Sequence, residues 1–447
     1  MKIIIAGAGE VGRHLAKLLS KERHDITIMD EHEERMADLG TNFDLLTVTA
    51  SPSSIAALRD ADVGRADLFI GVTPDEAHNM TCCMLASKLG AKKTVARVDN
   101  YEYTLPENRE FFQSVGISSV IYPEVLAGKE IIHNIKHSWV RQWLEVLDGK
   151  LILIGVKLRS SALILDKQLK DIFPPDAPCH IVAVKRNDET LILHGNDALM
   201  NGDTVYFMTI PEYVPFIKDM AGKANYGEVK NIYIMGGSDT TVHVVKNMPN
   251  HMVAKIFETN AQRCNELSNL IDRRNVMIFN GSATDYDLLC DEGLEHAQAF
   301  AALTDNSEAN ILACLSAKRL GVAKTVAMVE NSDYIRIAEH LDIGFIINKK
   351  TFAASHIYQM MLKADVTTVK NLIVANADVA EFHVKEGAKV TKCPVMDLNL
   401  PSTVTLGGLV RNGVGCLING RTRIQPGDTV VAFCLENAIS KLEKYFK

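Results

Sequence analysis

Short apolar runs alternate with amphipathic stretches along residues 1–123. The apolar runs have strand length, and the predicted strands are Lys2–Ala6, Asp25–Met29, Leu45–Val48, Leu68–Val72, Thr94–Val98 and Ser118–Ile121. The stretches between them predict helices over Val11–Ser20, Glu33–Leu39, Ser53–Ala61, Glu76–Leu89 and Leu105–Val115, and a further apolar helix follows over Pro123–Lys136. Such alternation is typical of a parallel sheet with helices on both faces. We expect the last helix to pack on a neighbouring domain, because it is more apolar than one face requires.

The pattern changes near Trp139, where short strands joined by small turns replace the alternation. The predicted strands are Leu151–Leu158, Cys179–Lys185, Thr190–Leu193 and Thr204–Thr209, with one helix near Lys167–Phe173. This part of the chain therefore predicts a small β-rich module.

Both kinds of segment occur twice. Leu89–Asn100 is echoed by Leu320–Asn331, and Gly202-Asp203-Thr204-Val205 recurs as Gly427-Asp428-Thr429-Val430. The repeats predict four domains, with boundaries at 1–137, 138–222, 229–362 and 363–447. The expected fold class is α/β, with two Rossmann-like doubly wound sheets alternating with two small α+β domains.

Composition narrows the class of protein. The chain is 47% hydrophobic and 23% charged, with a formal net charge of −7, which gives no support for nucleic-acid binding. Its apolar runs are far shorter than the ~20 residues of a membrane helix. Because the first strand begins at residue 2, no signal peptide is expected and the cytoplasm is predicted. The nine cysteines lack zinc-site spacing, so we expect reduced thiols and no structural metal.

A glycine motif, Gly7-Ala8-Gly9-Glu10-Val11-Gly12, follows the first strand and opens the first helix. In this context Gly7 permits a tight turn, Gly9 permits close approach of a pyrophosphate, and Gly12 permits close helix packing. The helix N-terminus attracts phosphates. Asp30, at the end of the second strand, can accept ribose hydroxyls and would repel a 2′-phosphate. NAD(H) or an adenine nucleotide is therefore favoured over NADP.

Further polar residues lie near the carboxyl ends of later strands, where ligands bind in open α/β sheets. Thr73 and Asp75 follow the fourth strand, and Asn79 follows on the next helix. Arg97 lies on an apolar strand, where a guanidinium is costly unless it faces an anion. A ligand phosphate is the preferred partner, and a salt bridge to Asp99 or Glu102 is the alternative.

The second copy of the motif is eroded. Gly236-Gly237-Ser238-Asp239-Thr240-Thr241 places side chains where Gly9 and Gly12 stand in the first copy. Glu258 matches Asp30, Thr304 and Asn310 match Thr73 and Asn79, and Met328 replaces Arg97. We therefore expect weak, altered or no nucleotide binding here. Half-occupancy or two different ligands would both fit.

The duplication favours a sensor over a catalyst. A hydride-transfer enzyme needs a substrate domain with an acid–base residue and an anchoring cation, and neither small module shows such a setting. An NAD-dependent oxidoreductase remains an alternative, as does a free-standing nucleotide-binding scaffold. We also hypothesise that Arg97 reads the phosphate pattern of the ligand and passes it to the helix over Pro123–Lys136.

These residues resemble the regulator-of-potassium-conductance (RCK, or KTN) family. The glycine motif, Asp30, Thr73 to Asn79 and Val95-Ala96-Arg97-Val98 are similar to its nucleotide-binding domain, and the two Gly-Asp-Thr-Val modules to its C-terminal domain. The order of the domains, two large–small pairs in tandem, resembles that of the potassium-uptake members of the family. The resemblance covers nearly the whole chain. One departure is Thr49-Ala50-Ser51, where the family usually has a Gly-Asp/Asn pair; Gly281-Ser282-Ala283 is nearer that form.

The resemblance implies a cytoplasmic peripheral subunit, without enzymatic activity, that forms a homotetrameric ring. The ring would gate a membrane-embedded, TrkH/TrkG-like potassium-conducting partner as it binds NAD(H), ATP or ADP. A regulator of a different cation transporter fits the domains equally well. The implied contacts are Gly7 to Gly12 and Arg97 for phosphates, Asp30 for ribose, Thr73 and Pro74 for adenine, and Gly236 to Thr240, Glu258 and Thr304 in the second copy.

Overall fold

The computed structural model describes residues 1–20, 24–37, 39–174, 176–187, 189–283, 286–361, 366–372, 377–435 and 439–446. These residues form two compact units. One unit combines Met1–His133 with Lys230–Tyr358, and the other combines Asn134–Val229 with Gln359–Lys447. Each unit thus contains two segments of the same predicted type. The four exact domain boundaries remain a prediction.

The first half of the first unit is a six-stranded parallel sheet with strand order β3-β2-β1-β4-β5-β6. Its elements are β1 Lys2–Ala6, α1 Glu10–Leu19, β2 Asp25–Asp30, α2 Leu39–Asn42, β3 Leu46–Thr49, α3 Ile55–Asp60, β4 Leu68–Gly71, α4 Glu76–Lys88, β5 Thr94–Arg97, α5 Arg109–Ser114, β6 Ser119–Ile121 and α6 Pro123–Lys136. Ile3, Ile4 and Ile5 of the central strand β1 are fully buried. This is the doubly wound, Rossmann-type order that the sequence predicts.

The second unit begins with β7 Gln142–Val146, β8 Leu151–Lys157, α7 Leu169–Ile172, β9 Cys179–Arg186, β10 Glu189–Leu191, β11 Thr204–Thr209 and α8 Val214–Met220. Its strands form an antiparallel sheet in the order β10-β9-β11-β8-β7. Strand β7 was not predicted, and helix α7 is shorter than expected from the sequence.

The chain then returns to the first unit and repeats the large sheet, in the order β14-β13-β12-β15-β16-β17. The elements are β12 Asn231–Met235, α9 Asp239–Asn247, β13 Val253–Glu258, α10 Ala261–Leu270, β14 Val276–Asn280, α11 Tyr286–Asp291, β15 Ala299–Ala302, α12 Ser307–Arg319, β16 Lys324–Met328, α13 Ser332–His340, β17 Phe345–Ile347 and α14 Lys349–Met361. Strand for strand, this order matches the first sheet.

The last segment completes the second unit with β18 Val366–Leu372, β19 Ala377–His383, β20 Val404–Arg411, β21 Val414–Leu417, β22 Thr429–Leu435 and α15 Ile439–Phe446. The sheet order, β18-β19-β22-β20-β21, is that of the first small sheet. The two small sheets share an apolar cluster that includes Leu151, Tyr206 and Phe433. The alternating α/β fold class is confirmed.

The repeated turn of each small sheet is closed by an arginine–aspartate pair. Arg186 donates to both carboxylate oxygens of Asp203, at 2.9 and 2.8 Å, and Arg411 does the same to Asp428, at 2.8 and 2.7 Å. Both aspartates are 2% exposed or less. This shared bidentate contact gives a structural reason for the aspartate of the Gly-Asp-Thr-Val sequence in both modules.

Two predicted helices of the first sheet are wrong in detail. Over Glu33–Leu39 a single 3-10 turn covers Glu33–Arg35, and helix α2 begins only at Leu39. Over Leu105–Val115 a 3-10 turn precedes the short helix α5. The side chains of Glu33, Glu34 and Arg35 are all exposed, and among the described residues of this stretch only Met36 and Leu39 are buried, so few apolar contacts hold a longer helix there.

Helix α6 joins the two large sheets, as its apolar character predicts. A Cβ atom on Gly128 would lie 2.7 Å from Cβ of His243, which belongs to α9 of the second copy. The His243 ring also contacts Tyr101 and Tyr122 of the first copy, with centroids 5.0 and 5.4 Å apart. The close approach of α6 and α9 therefore requires glycine at position 128.

Three features of the described residues bear on the class of protein. None of their helices combines the length and apolarity needed to cross a bilayer. No group of three or more His, Cys, Asp or Glu side chains among them is placed to hold a metal ion. The nine cysteines are free thiols.

Candidate nucleotide site

The glycine turn of the first copy is held together by two tight contacts. Gly7 has a φ of +111°, and a Cβ atom there would lie 2.9 Å from the backbone nitrogen of Thr73. A Cβ atom on Gly12 would lie only 1.9 Å from the carbonyl oxygen of Gly7. Both positions therefore require glycine to bring helix α1 against the ends of β1 and β4.

Gly9 is different, because nothing in the protein requires it. Its φ and ψ are −70° and −174°, which any residue adopts, and a Cβ atom there would have no neighbour within 4 Å. Gly9 is also the N-cap of α1, and it has no side chain to cap the helix. The position leaves room for a ligand to approach the helix N-terminus.

The neighbouring side chains of the turn differ in exposure. Ala8 and Val11 are buried, so their backbone rather than their side chains can face a ligand. Glu10 is the first residue of α1 and its side chain is 61% exposed.

Asp30 holds the turn from the end of β2. Its Oδ2 accepts from the Ala8 N–H at 2.7 Å, and its Oδ1 accepts from the His32 N–H at 2.9 Å. Burial alone would raise the pKa of Asp30, but these two N–H groups, the His32 ring and Arg35 lower it below its ordinary value. The carboxylate is thus ionised, and it holds the glycine turn to the end of β2.

Thr73 and Asn79 tie β4 to β5. The backbone N–H and the hydroxyl of Thr73 both donate to Asn79 Oδ1 at 2.7 Å, and Asn79 Nδ2 donates to the carbonyls of Thr73 and Arg97 at 2.9 and 3.0 Å. Pro74 is exposed beside this bridge. The bridge fixes the carboxyl ends of these two strands relative to each other.

Arg97 has partners inside the protein. It donates to the carbonyl of Thr73 at 3.2 Å and to Asp99 at 2.8 Å. This salt bridge is the alternative that the sequence left open. The side chain remains 24% exposed, so a phosphate contact stays a prediction.

The second copy keeps the frame of the turn and fills its opening. Gly236 has a φ of +96°, and a Cβ atom there would lie 2.8 Å from Cγ2 of Thr304. Ser238 is the N-cap of α9, where its hydroxyl accepts from the Thr241 N–H at 3.4 Å. The Thr241 hydroxyl donates to the Gly236 carbonyl at 2.7 Å, and Thr240 is fully buried. The helix N-terminus is capped by the protein itself.

The acid and the strand bridge are conserved in geometry. Glu258 accepts from the N–H groups of Gly237 and Asn260 at 2.7 and 2.8 Å, as Asp30 does in the first copy. Asn310 receives the N–H and hydroxyl of Thr304 and donates to the carbonyl of Met328 at 2.8 Å. These acids and Thr–Asn pairs therefore have a structural role besides any contact with ribose or adenine.

Charged residues between the two copies were missed from the sequence. Lys350, in the first turn of α14, pairs with Glu10 of the first glycine turn and with Glu330. Lys349 pairs with Glu124, the second residue of α6, at 3.2 Å. Burial alone would lower the pKa of Lys350, but Glu10 and Glu330 raise it, so the lysine stays charged. The first turns of α6 and α14 thus each carry a charged residue that pairs with the other copy.

The same fold and motifs occur in known proteins. The TrkA-N domain model matches residues 3–123 and 232–349, the two segments that form the large sheets. The chain belongs to the TrkA-N domain family. The TrkA-C domain model matches residues 379–447, which includes most of the second small sheet.

Relatives of this family match along their full length. Two are named Trk system potassium uptake protein TrkA: the protein of Halomonas elongata is 28% identical over 454 residues, and that of Haemophilus influenzae is 29% identical over 458 residues. In both cases the match covers 100% of this chain and 99% of the relative. The tandem TrkA architecture expected from the sequence is confirmed.

Solved RCK structures share the fold. The GsuK RCK domain matches with a TM-score of 0.59 at 14% identity, covering 100% of this chain and 94% of that chain. The GsuK channel bound to NAD matches with a TM-score of 0.58 at 13% identity, covering 100% of this chain and 78% of that chain. At such identities the likeness concerns the fold alone.

Proposed function

We propose that this chain is a nucleotide-binding regulatory subunit of a membrane potassium-uptake system. Its family membership and its full-length match to relatives named Trk system potassium uptake protein support this function. The observation that carries it is the opening at Gly9, where the protein has no packing reason for glycine and leaves a helix N-terminus uncapped.

The ligand proposed for this opening is NAD(H), with ATP or ADP as the other candidates. The backbone of Gly7 to Gly12 would hold the phosphates at the helix N-terminus. Asp30 would accept the adenosine ribose hydroxyls, and its buried negative charge would repel the extra phosphate of NADP. Thr73 and Pro74 would lie on the adenine side, and Arg97 would contact a phosphate.

The polar side chains around the first glycine turn have structural roles, which favours regulation over catalysis. Asp30, Thr73 and Asn79 are engaged in hydrogen bonds that hold strand ends and the glycine turn in place. A ligand that contacts them would change the geometry of the framework. Such a ligand can shift a conformational equilibrium only by binding one state more tightly, and couplings of about 1–3 kcal/mol are typical.

The proposed assembly is a homotetrameric ring in the cytoplasm, beneath a TrkH/TrkG-like potassium-conducting subunit. The contact of α6 with the second copy supports a role for that helix in transmitting ligand occupancy, because the helix begins at Pro123 in the first unit and its last residues belong to the second. The pairing of Glu10 with Lys350 gives the ligand site a second link to the other copy.

Calorimetry with the purified full-length chain tests the ligand. NADH, ATP and ADP are titrated separately, and Gly9→Ala serves as the variant that should weaken binding without unfolding. The proposal fails if no adenosine-containing compound binds. Reconstitution with the potassium-conducting subunit in vesicles then tests regulation: nucleotide addition should change the potassium flux, and Gly9→Ala should reduce that response.

An oxidoreductase would give a different result. It would oxidise NADH in the presence of a substrate, whereas the proposed sensor binds NADH and leaves it unchanged. A regulator of another cation transporter would bind nucleotide normally but would not alter flux through the potassium-conducting subunit.

A further inference from the structure

A histidine fills the contact between helix α6 of the first copy and helix α9 of the second. His243 lies on α9 and is only 4% exposed. Gly128 of α6 packs directly against it, because a Cβ atom there would collide with Cβ of His243. The imidazole ring lies near the rings of Tyr101 and Tyr122, which both belong to the first copy. Groups of both copies therefore enclose this imidazole.

The cations and phenols around the ring give a second positive charge no place. Lys246 on α9 and Lys129 on α6 both act on His243 as positive charges. The Lys246 ammonium also lies 4.9 Å from the centroid of the Tyr101 ring, so a cation already contacts that tyrosine. Tyr122 stays neutral, because burial raises the pKa of its phenol. A proton on His243 would thus add a charge among lysines.

The acids that face His243 already have partners. Asp239, one turn earlier on α9, pairs with Arg263 at 2.7 Å. Glu124, in the first turn of α6, pairs with Lys349 at 3.2 Å. Both acids act on the imidazole only at longer range. A protonated ring in this contact would therefore be a buried cation without a partner of its own, which is costly.

The neutral form of His243 is consequently the form that fits the closed contact. Burial, followed by the charges of the lysines, holds the pKa of His243 below its ordinary value of 6.5 despite the two acids. When α6 moves away from α9, the ring gains water and its pKa returns toward that value. The open arrangement then binds a proton more tightly, so the closed contact loses stability as the pH falls below about 6.5.

We infer that the contact of Gly128 and Lys129 with His243, the α6–α9 junction, is a pH-sensitive switch: protonation of His243 opens it and uncouples the two copies. The junction consists of protein groups alone, so it operates whether or not the first copy binds a nucleotide. Under the proposed function, acidification weakens the transmission of ligand occupancy along α6.

A second histidine faces the same lysine and has to be separated from the first. His356 on α14 is half-buried, and burial followed by the charge of Lys129 lowers its pKa as well. Its substitution is therefore the matched control for His243, because both rings face Lys129 from the second copy.

Hydrogen–deuterium exchange of the full-length chain tests the junction. Exchange in peptides of α6 and α9 is compared at about pH 7.5 and about pH 5.5, after correction for the intrinsic pH dependence of amide exchange. In the unaltered chain, corrected exchange in these peptides should rise by up to about tenfold at the lower pH. This is the change in open population that one histidine can produce over that interval when its pKa is ordinary in the open state.

Two variants remove the titrating group in different ways. His243→Phe keeps a ring in the contact and should keep exchange in α6 and α9 low at both pH values. His243→Gln should abolish the pH dependence whatever level of exchange it shows, so the test does not depend on how well phenylalanine packs. His356→Gln should retain the rise seen in the unaltered chain.

The inference is overturned if the unaltered chain shows no rise, or if the rise is equal in all peptides of the chain. It is also overturned if His243→Gln responds to pH as the unaltered chain does, or if His356→Gln alone abolishes the response. Failure of the chain to bind any adenosine-containing compound would instead contradict the proposed function, and the exchange results would be unaffected.

Discussion

Gly9 and Gly12 belong to one turn but are glycine for different physical reasons. A Cβ atom on Gly12 would collide with the Gly7 carbonyl at 1.9 Å, whereas one on Gly9 would enter open space. Stability therefore depends on glycine at position 12, and ligand approach depends on glycine at position 9. The two functions of the motif can therefore be separated by mutation.

We predict that Gly9→Ala lowers nucleotide affinity by about tenfold or more, a loss of about 1.4 kcal/mol, while the unfolding midpoint stays nearly constant. Gly12→Ala should lower both, since the helix must shift to relieve the collision. Calorimetry and chemical denaturation measure the two effects. Equal loss of stability in both variants would contradict this separation.

Asp30 should make stability depend on acid pH. Its folded-state pKa lies below the ordinary value of 3.8. The ionised carboxylate therefore stabilises the fold above that pH, and the contribution disappears as the pH falls through the folded-state pKa. Asp30→Asn should cost about 1–2 kcal/mol at pH 7, and the difference from the unaltered chain should shrink in denaturation experiments near pH 3. A pH-independent difference would refute the role of ionisation.

Arg97 tests how the first copy distinguishes ligands. Its salt bridge to Asp99 leaves part of the guanidinium exposed, and Met328 takes its place in the second copy. Arg97→Ala should reduce the difference in affinity between NADH, ATP and ADP, as measured by calorimetry. Arg97→Lys is the control that retains charge. An unchanged order and spread of affinities in Arg97→Ala would exclude the phosphate-reading role.

At the scale of elements, buried apolar runs predicted the central strands well. Lys2–Ala6 and Thr204–Thr209 have the predicted limits because one or both faces of these strands are buried. Strand β7 was missed because most of Gln142–Val146 is only half-buried, so its alternation is weak. The stretch Glu33–Leu39 has only Met36 and Leu39 buried among its described residues, whereas its counterpart α10 begins at the side-chain cap of Asn260.

For the candidate nucleotide site, too, local patterns could be predicted from the sequence and contacts between distant residues could not. Glycines and acids at strand ends follow a local spacing that sequence can show. The pairing of Glu10 with Lys350 joins residues 340 positions apart and depends on how the two copies pack. Arg263 and Arg35 each follow the acid at the end of a second strand by five residues, which sequence could have shown, but the contact of Arg263 with the Gly237 carbonyl depends on the turn geometry.

The arginine–aspartate pairs that close the repeated turns of the small sheets give a prediction at the scale of elements. Asp203→Ala should destabilise the second unit by about 2 kcal/mol, because it removes the buried carboxylate that accepts from Arg186 and from the Met200 N–H. Asp428→Ala removes the matching contacts with Arg411 and the Gln425 N–H and should have a similar effect. Denaturation measures both. Nucleotide affinity should not change, and a large change would show that the closures act on the site.

At the scale of the whole molecule, two ion pairs join the copies with different burial. Lys349 and Glu124 are 17% and 14% exposed, whereas Lys350 and Glu10 are 40% and 61% exposed. A double-mutant cycle with Lys349→Met and Glu124→Gln should give a coupling of about 1–2 kcal/mol. The cycle with Lys350→Met and Glu10→Gln should give less than about 1 kcal/mol. The reverse order of couplings would contradict the burial argument.

The open glycine turn of the first copy and the capped glycine turn of the second lie on the same polypeptide, so their numbers are always equal. Any oligomer of this chain, whatever its size, carries one of each per subunit, regardless of how much protein the cell makes. Two separate genes would need matched expression to achieve that ratio. The internal repeat therefore fixes this ratio in the primary structure.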